Sequence, residues 1–463
     1  MRICFVVHQF LPRFRTGTEL YVYRLARAAL AKGHEVTVYA FEPHFDRPGP
    51  FVTESEDVVD GLRVVRFSAS LDLSPNRTLT EFYNPFHAER FGRILEETAF
   101  DVVHFFHVRF HGAALIEEAA ARGLTVAVHF MDFFYLCPDT RLLKVDDMLC
   151  RGPVDVYECI WCERDSHYAG YGPLHEALES GIFPKDEALL GAEIDPGTLN
   201  VDTPLAHLRA AAIRPDVLRS ILGKADQLFA PSEFLKSLFV RNGYDDASIE
   251  VMRYGVDQRL ADVARARKPL DAATLRIGYL GSIAKYKGVH LLVGAFLELD
   301  WPGATLTIHG DSFVFEEYSG PLARRANRDE RIRFAGGFAH DQLAETLATI
   351  DILVVPSLWY ENTPFVMLEA QAAGIPVLAA DLGGMTEVVR DGEDGLLFKR
   401  ANPRSLKAAL TRLRDEPELA ETLRKNLSAV KTLPENADEL LEHYARLIES
   451  HEGSDSRITE ASD

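Results

Sequence analysis

Glu361 and Glu369 stand on either side of Asn-Thr-Pro-Phe-Val-Met-Leu, a segment that contains a helix-start signal. Thr363 before Pro364 predicts an N-cap with proline at the first helical position, where a missing N–H costs nothing. Glu369 then lies a little under two turns on, so the two carboxylates bracket about 8–10 Å of helix. A helix start offers unpaired N–H groups and a positive dipole end, which attract phosphate. The pair could hold a diphosphate with a sugar on each side. From this segment alone, two glutamates on an ordinary amphipathic helix is an equal reading.

A second segment bears on that choice. Gly281-Ser-Ile-Ala-Lys285-Tyr-Lys287-Gly288 follows an apolar run and precedes a helical one. A glycine-rich turn in that context brings backbone N–H groups and a lysine to phosphates. The motif is loose, and by itself an ordinary tight turn is the commoner outcome. Beside the glutamates, Lys287 becomes a candidate for stabilising charge on a departing diphosphate, with Lys285 as a weaker one.

The elements that must position these residues read as two restarts of one pattern. Apolar runs at 3–7, 36–41, 62–67, 102–106, 126–130 and 228–230 alternate with helical segments, beginning with a loop at Gly17 and a helix to Ala31. Strands at 275–280, 305–309, 332–334, 352–355, 377–379 and 396–398 then alternate with helices near 290–299, 341–349, 364–373 and 384–390. This is the signature of doubly wound parallel sheets, whose ligands bind at the carboxyl ends of the strands. Leu440, Leu441, Tyr444 and Leu447 share one face of a terminal helix.

With these segments in place, the chain resembles the retaining glycosyltransferases of the family-4 type, which carry a Glu-x7-Glu signature. The resemblance runs from Met1 to about Phe398, apart from a divergent stretch at 138–205. It implies the GT-B fold: an α/β protein with two Rossmann-like domains facing across a cleft. The expected division is an N-terminal acceptor domain at 1–257 with an acidic Cys-bearing insert at about 138–205, and a nucleotide-sugar domain at 258–433. A helix at 434–450 would return across the hinge onto the N-terminal domain, and a disordered tail would follow at 451–463.

The resemblance also implies roles. Glu361 would contact the transferred sugar, Glu369 the ribose, and Lys287 the diphosphate of a nucleotide-diphosphate sugar donor. Gly281, Ser282, Asn362, Thr363 and Gly384 would line the donor, and Gly17 the loop that closes over it. Ser282 stands where the family usually has Arg, so one expected diphosphate cation is missing. The segment Glu361-Asn-Thr-Pro departs from the usual Glu-Gly-Phe-Gly, and the Thr363 hydroxyl could reach the sugar or cap the helix. His129 lies two residues before the family's usual histidine position and would touch the donor sugar if the strand continues that far. Asp132 and His107 are acceptor-side candidates. Glu387 belongs to a loop near the sugar or caps the following helix. Transfer would retain anomeric configuration and need no catalytic metal, for an acceptor that is a carbohydrate or glycolipid in polysaccharide or glycoconjugate synthesis. A nucleotide-sugar epimerase and a non-catalytic sugar-nucleotide-binding protein are the alternatives.

Composition narrows the partners. The 463 residues carry a formal net charge of −20, with a pI near 5.3, which argues against a nucleic-acid surface, since that needs a dominant basic patch. No run approaches the roughly 20 apolar residues that span a bilayer. The expected location is cytoplasmic, with membrane contact at most peripheral at the inner face. Residues 138–202 hold 14 acidic and 5 basic side chains, a poor match for anionic lipid. Oligomeric state is not readable.

Five cysteines in so long a chain are no disulfide framework. Four of them cluster as Cys137-x12-Cys150-x8-Cys159-x2-Cys162. In a reduced compartment this reads as a four-sulfur site holding structural zinc, or as unligated thiols, with an iron–sulfur cluster or a redox disulfide as further readings.

Overall fold

The computed structural model of the chain describes residues 1–43, 51–70, 74–144, 146–153, 158, 159, 162, 195–311 and 315–460. Most of the acidic insert lies outside these residues. The described chain forms two compact units. One contains residues up to Pro231, Lys236–Met252 and everything from Asn436 onward; the other contains Ser232–Leu235 and Arg253–Glu435. The expected first boundary, after residue 257, lies slightly beyond the chain's exit at Met252.

The first unit is built on eight strands: β1 (Arg2–Val7), β2 (Glu35–Phe41), β3 (Val52–Val59), β4 (Leu62–Ala69), β5 (Val102–Phe105), β6 (Thr125–His129), β7 (Gln227–Ala230) and β8 (Ile249–Val251). They lie in the order β3-β4-β2-β1-β5-β6-β7-β8. All pair in parallel except β3 with β4. The central strands are almost wholly buried, as a parallel sheet covered on both faces requires. Strand β3 was not expected. Its Thr-Glu-Ser-Glu-Asp core is exposed on both faces at the sheet edge, so it carries no hydrophobic alternation. It is set instead by the tight turn at Asp60-Gly61, where both residues have positive φ.

The second unit has β9 (Arg276–Leu280), β10 (Thr305–His309), β11 (Ile332–Gly336), β12 (Ile352–Val355), β13 (Val377–Ala380) and β14 (Gly395–Phe398), all parallel. Their order is β11-β10-β9-β12-β13-β14. The strand order therefore reverses between β9 and β12, and a doubly wound sheet binds ligands outside the carboxyl ends of the strands at that switch point. One continuous core runs from Leu275 through Val289, Leu306 and Leu353 to Leu410.

The C-terminal helix, Leu433–Glu460, belongs to the first unit from Asn436 onward. Tyr21 donates its hydroxyl hydrogen to Asn436 Oδ1 at 2.8 Å, Tyr444 Oη lies 2.5 Å from His104 Nδ1, and His443 pairs with Glu250 at 3.2 Å. The helix continues through residues 451–460, where a disordered tail was expected. Once the earlier turns are packed, each further residue adds a hydrogen bond without a new nucleation cost, and His451 Nε2 lies 2.6 Å from Asp226 Oδ1. Residues 461–463 fall outside the described set. Among the described residues no helix is long and apolar enough to cross a membrane.

Candidate active site

The loops that follow β9 and β12 meet at the switch point. After β9 the chain turns through Gly281 and forms a single 3-10 turn at Lys285–Lys287. Gly288 then ends that turn at φ 71°. A Cβ at Gly288 would lie 1.9 Å from the Pro356 carbonyl oxygen, so the absence of a side chain lets the two loops touch. That contact brings Lys287 over the segment after β12. Lys285, on the same turn, is exposed. Ser282 is exposed too, and its carbonyl accepts the Tyr279 hydroxyl at 2.7 Å.

Lys287 Nζ lies 2.7 Å from Glu361 Oε1. The same oxygen accepts the Ser357 hydroxyl at 2.7 Å and the Trp359 indole N–H at 2.8 Å. Lys287 Nζ also sits 5.0 Å from the centroid of the Trp359 ring, within range of a cation–π contact. Three donors therefore converge on one carboxylate oxygen of a residue that is only 7% exposed. Sequence reasoning paired Lys287 with Glu361 but missed Ser357 and Trp359. A lone Ser and Trp after a strand carry no spacing signal of their own.

The helix that carries Glu369 is Phe365–Ala372, and its N-cap position is Pro364, one residue later than expected. Proline holds Thr363 out of the α region, and Pro364 itself stays extended at ψ 119°. Thr363 consequently caps nothing: its hydroxyl bonds the Asn362 carbonyl at 2.8 Å, and its N–H bonds Asn362 Oδ1. Glu369, the fifth residue of the helix, is 7% exposed. The helix start thus lies between Glu361 and Glu369.

Gly384 has a structural task here. Its N–H donates to the Glu361 carbonyl at 2.8 Å, and a Cβ would fall 1.4 Å from the Asn362 carbonyl oxygen. Gly384→Ala is therefore expected to push the Glu361–Asn362 backbone aside and destabilise the protein by about 2–4 kcal/mol, the range of a severe core clash. Thermal unfolding measures the loss, and an unchanged Tm would contradict it. Glu387 accepts from the backbone N–H groups of Glu233 and Phe234 at 3.1 and 2.5 Å. It caps the helix Glu233–Arg241 rather than the one that follows it in sequence, because those amides are first-turn donors without intrahelical partners.

The first unit has its own switch point, between β1 and β5, and polar groups gather there. His107 Nε2 lies 2.9 Å from Asp132 Oδ2, so the two acceptor-side candidates find each other. The His107 ring is 4.3 Å from that of His8, whose Nε2 lies 3.2 Å from Glu19 Oε1. Burial raises the Glu19 pKa against the opposing pull of Thr16, and burial with the nearby His107, Arg109 and His111 pushes His8 well below its ordinary value. For Asp132, burial acts upward, but His107, the Phe134 N–H and Arg109 together hold the pKa below normal. Sequence reasoning did not single out His8 or Glu19. Gly17 is the first residue of the helix Gly17–Ala31, whose start Glu19 secures by accepting from the Thr16 N–H at 3.1 Å.

His129 does not reach a ligand site. It is 0% exposed, and the rings of His104, Phe106, Tyr21 and Phe229 surround it within about 6 Å. The strand does continue to His129, but it turns that residue into the aromatic layer between sheet and helices. Burial drops its pKa to about 3.

The four clustered cysteines all line one small cavity in the first unit, and all five cysteines are thiols. Among the described residues no three His, Cys, Asp or Glu side chains stand close enough to grip a metal ion as placed. The expected four-sulfur zinc site is therefore not formed among the described residues, and the alternative reading, unligated thiols, is what the structure contains.

Two α/β units in one chain, each built on a predominantly parallel, doubly wound sheet, have the architecture of the GT-B class. Comparisons with known proteins agree. Residues 262–429 match the profile described as "Glycosyl transferases group 1", and residues 15–146 match "Glycosyltransferase Family 4". The chain belongs to the group 1, family-4-type glycosyltransferases. It is 30% identical over 253 residues to a D-inositol 3-phosphate glycosyltransferase from Acidothermus cellulolyticus, covering 48% of this chain and 55% of that one. It is 34% identical over 182 residues to a glycogen synthase from Mycobacterium tuberculosis, covering 38% and 42%. The matched part spans about half the length of these curated relatives. Among solved structures, sucrose-phosphate synthase from Thermosynechococcus elongatus aligns with TM-score 0.64 and 19% identity over 97% of this chain and 99% of that one. The Anabaena protein HepE in complex with UDP and glucose aligns with TM-score 0.61 and 17% identity over 96% and 99%.

Proposed function

We propose that this protein transfers a hexosyl-type sugar from a nucleotide-diphosphate sugar to an acceptor hydroxyl, with retention of configuration. The observation that carries this reading is the Lys287–Glu361 pair, 2.7 Å apart at the β9/β12 switch point and beside the start of the helix that holds Glu369. On donor binding, Lys287 and the N–H groups of the helix start take the diphosphate, Glu369 the ribose, and Glu361 the sugar. As the glycosidic bond breaks, negative charge grows on the diphosphate, and a fixed ammonium stabilises it more than it stabilises the bound donor. The leaving diphosphate accepts the acceptor proton on the same face of the sugar, so no protein nucleophile and no catalytic metal is called for.

Glu361 is well suited to its part. Ser357 and Trp359 anchor Oε1, and both remain when Lys287 turns to a diphosphate. Gly281, Asn362 and Thr363 line the same site, and the exposed Lys285 is the reserve cation where Ser282 offers none. On the acceptor side we place His107, Asp132 and the loop at Gly17. The acceptor is a carbohydrate or glycolipid in polysaccharide or glycoconjugate synthesis, used in the cytoplasm or at the inner membrane face. Solved relatives bound to UDP and UDP-glucose support a nucleotide-sugar donor.

A panel of nucleotide sugars, screened first by thermal shift and then by product separation, tests the proposal. One donor is expected to raise Tm, since a ligand that binds only the native state stabilises it, and to release nucleotide only when acceptor is present. Isomerised donor without acceptor would make the protein an epimerase. Binding without turnover across a broad acceptor set would make it a silent binding module.

A further inference from the structure

The segment after β12 brings alternate residues to one point. Ser357, Trp359 and Glu361 stand two apart, a spacing that puts side chains of an extended segment on one face. The Ser357 hydroxyl and the Trp359 indole N–H both end on Glu361 Oε1, at 2.7 and 2.8 Å, and Lys287 is the third donor to that oxygen. Oε2 carries no hydrogen bond among the described residues. One oxygen of the carboxylate is thus fully engaged and the other is left for a ligand. Trp359 touches both members of the pair. Its N–H edge, the positive part of the ring, meets the carboxylate, while its electron-rich face meets the Lys287 ammonium at 5.0 Å from the centroid. The Tyr286 ring packs against it edge-on at 5.2 Å. Leu358, the residue before it, is pinned through both backbone groups: its N–H donates to the Tyr286 carbonyl at 2.8 Å, and its carbonyl accepts from Arg400 Nε at 2.6 Å.

We propose that Trp359 is a positioning residue for sugar transfer, an inference that rests on the function proposed above. When the diphosphate of a donor draws Lys287 away, Glu361 loses its charged partner. The indole and Ser357 then hold Oε1 alone and keep Oε2 turned to the sugar, while the ring face keeps the ammonium from swinging into solvent. Of the two anchors the indole is the stiffer, because a hydroxyl hydrogen rotates and an indole N–H lies fixed in the ring plane. A glutamate without that anchor is free to turn about its broad terminal torsion. Small misplacements of a group that acts in the transition state cost large factors in rate. Trp359 itself meets no reacting atom; it acts through Glu361 and Lys287.

The test is a kinetic cycle with the donor found by the nucleotide-sugar panel. Trp359→Phe keeps a ring beside Lys287 and removes the N–H. It should lower kcat by about 10–100-fold, the worth of one hydrogen bond to a charged group, and leave donor KM within about twofold. In a Glu361→Ala background the same change should cost less than about twofold, because a residue that acts through another has no effect once the other is gone. An equal loss in both backgrounds would make Trp359 a structural residue and overturn the proposal, as would wild-type kcat in Trp359→Phe. If that variant fails to fold, the indole N–H resonances of the wild-type protein decide. The chain has three tryptophans, and Trp301 donates to the Ala272 carbonyl at 2.9 Å, away from the site. One indole signal should shift in Glu361→Ala while that of Trp301 stays. No shift in an active enzyme would overturn the role of Trp359 alone. A panel without turnover would overturn the function, and the role with it, while leaving the indole shift in place.

Discussion

Lys287→Ala is expected to lower kcat by about 10²–10³-fold while changing donor KM much less, the pattern of an interaction made mainly in the transition state. In the resting protein Lys287 already has a counter-charge in Glu361 at 2.7 Å, so binding of the proposed donor would exchange one anion for another. In the proposed reaction the diphosphate would gain charge as it leaves, and the ammonium would then contribute what water in the opened site cannot. Glu361→Gln keeps the bonds from Ser357 and Trp359 but removes the charge that holds Lys287. It should slow transfer by a similar order, and the two changes combined should cost less than their sum, because they remove one unit. Glu369→Ala should act differently, raising donor KM with little effect on kcat. Steady-state kinetics with the donor found by the nucleotide-sugar panel decide the matter. Full activity in both Lys287→Ala and Glu361→Gln would remove this pair from the mechanism.

Acidification from pH 7 to pH 5 is expected to lower Tm by on the order of 10 °C, through histidines locked neutral in the first unit. His129 has a pKa near 3 and His111 one near 4, each lowered chiefly by burial. His87 and His104 are also pushed well below normal by burial and by a neighbouring histidine. In the unfolded chain all four regain a pKa near 6.5. Between these limits the unfolded chain binds protons that the folded one refuses, so stability is present above pH 6.5 and is lost as pH falls toward the folded values. Each group costs about 1.4 kcal/mol per pH unit. At pH 5, His111 and His129 alone remove about 4 kcal/mol, a large share of the roughly 5–15 kcal/mol that ordinary domains possess. Thermal scans at pH 7, 6 and 5 measure the slope. His129→Phe, which keeps an aromatic ring among Phe106, His104 and Phe229, should flatten it. A wild-type Tm that does not move over this range would refute the account.

The parts of the fold legible in the sequence were those written as burial. Every central strand of both sheets announced itself as an apolar run, since parallel strands are covered on both faces. The Lys287–Glu361 association was also readable, because a strand–loop–helix unit can present its loop only at the carboxyl edge. What escaped was written otherwise. Strand β3 is held by a turn and an edge pairing, and no face of it is apolar. The helix Pro85–Glu97 has an Asn84 cap whose side chain accepts from the His87 N–H, a signal present in Asn-Pro but passed over. His129 was misplaced because alternation fixes which face a strand residue takes, and not whether that face looks onto a ligand or a packed layer. Trp359 and Ser357 act through a three-dimensional convergence on one oxygen, for which linear spacing has no mark.

The excursion of the chain from Met252 to Asn436 also orders events during synthesis. The ribosome finishes the second unit, from Arg253 to Glu435, before it makes the helix on which Tyr21 and His104 depend. Domains fold as units while the chain emerges, so the second unit can reach its native state while the first still waits, its aromatic layer open along the groove that Tyr444 will fill. A chaperone that shields exposed apolar surface would meet this protein at that stage. A release delay placed after residue 435 should prolong it.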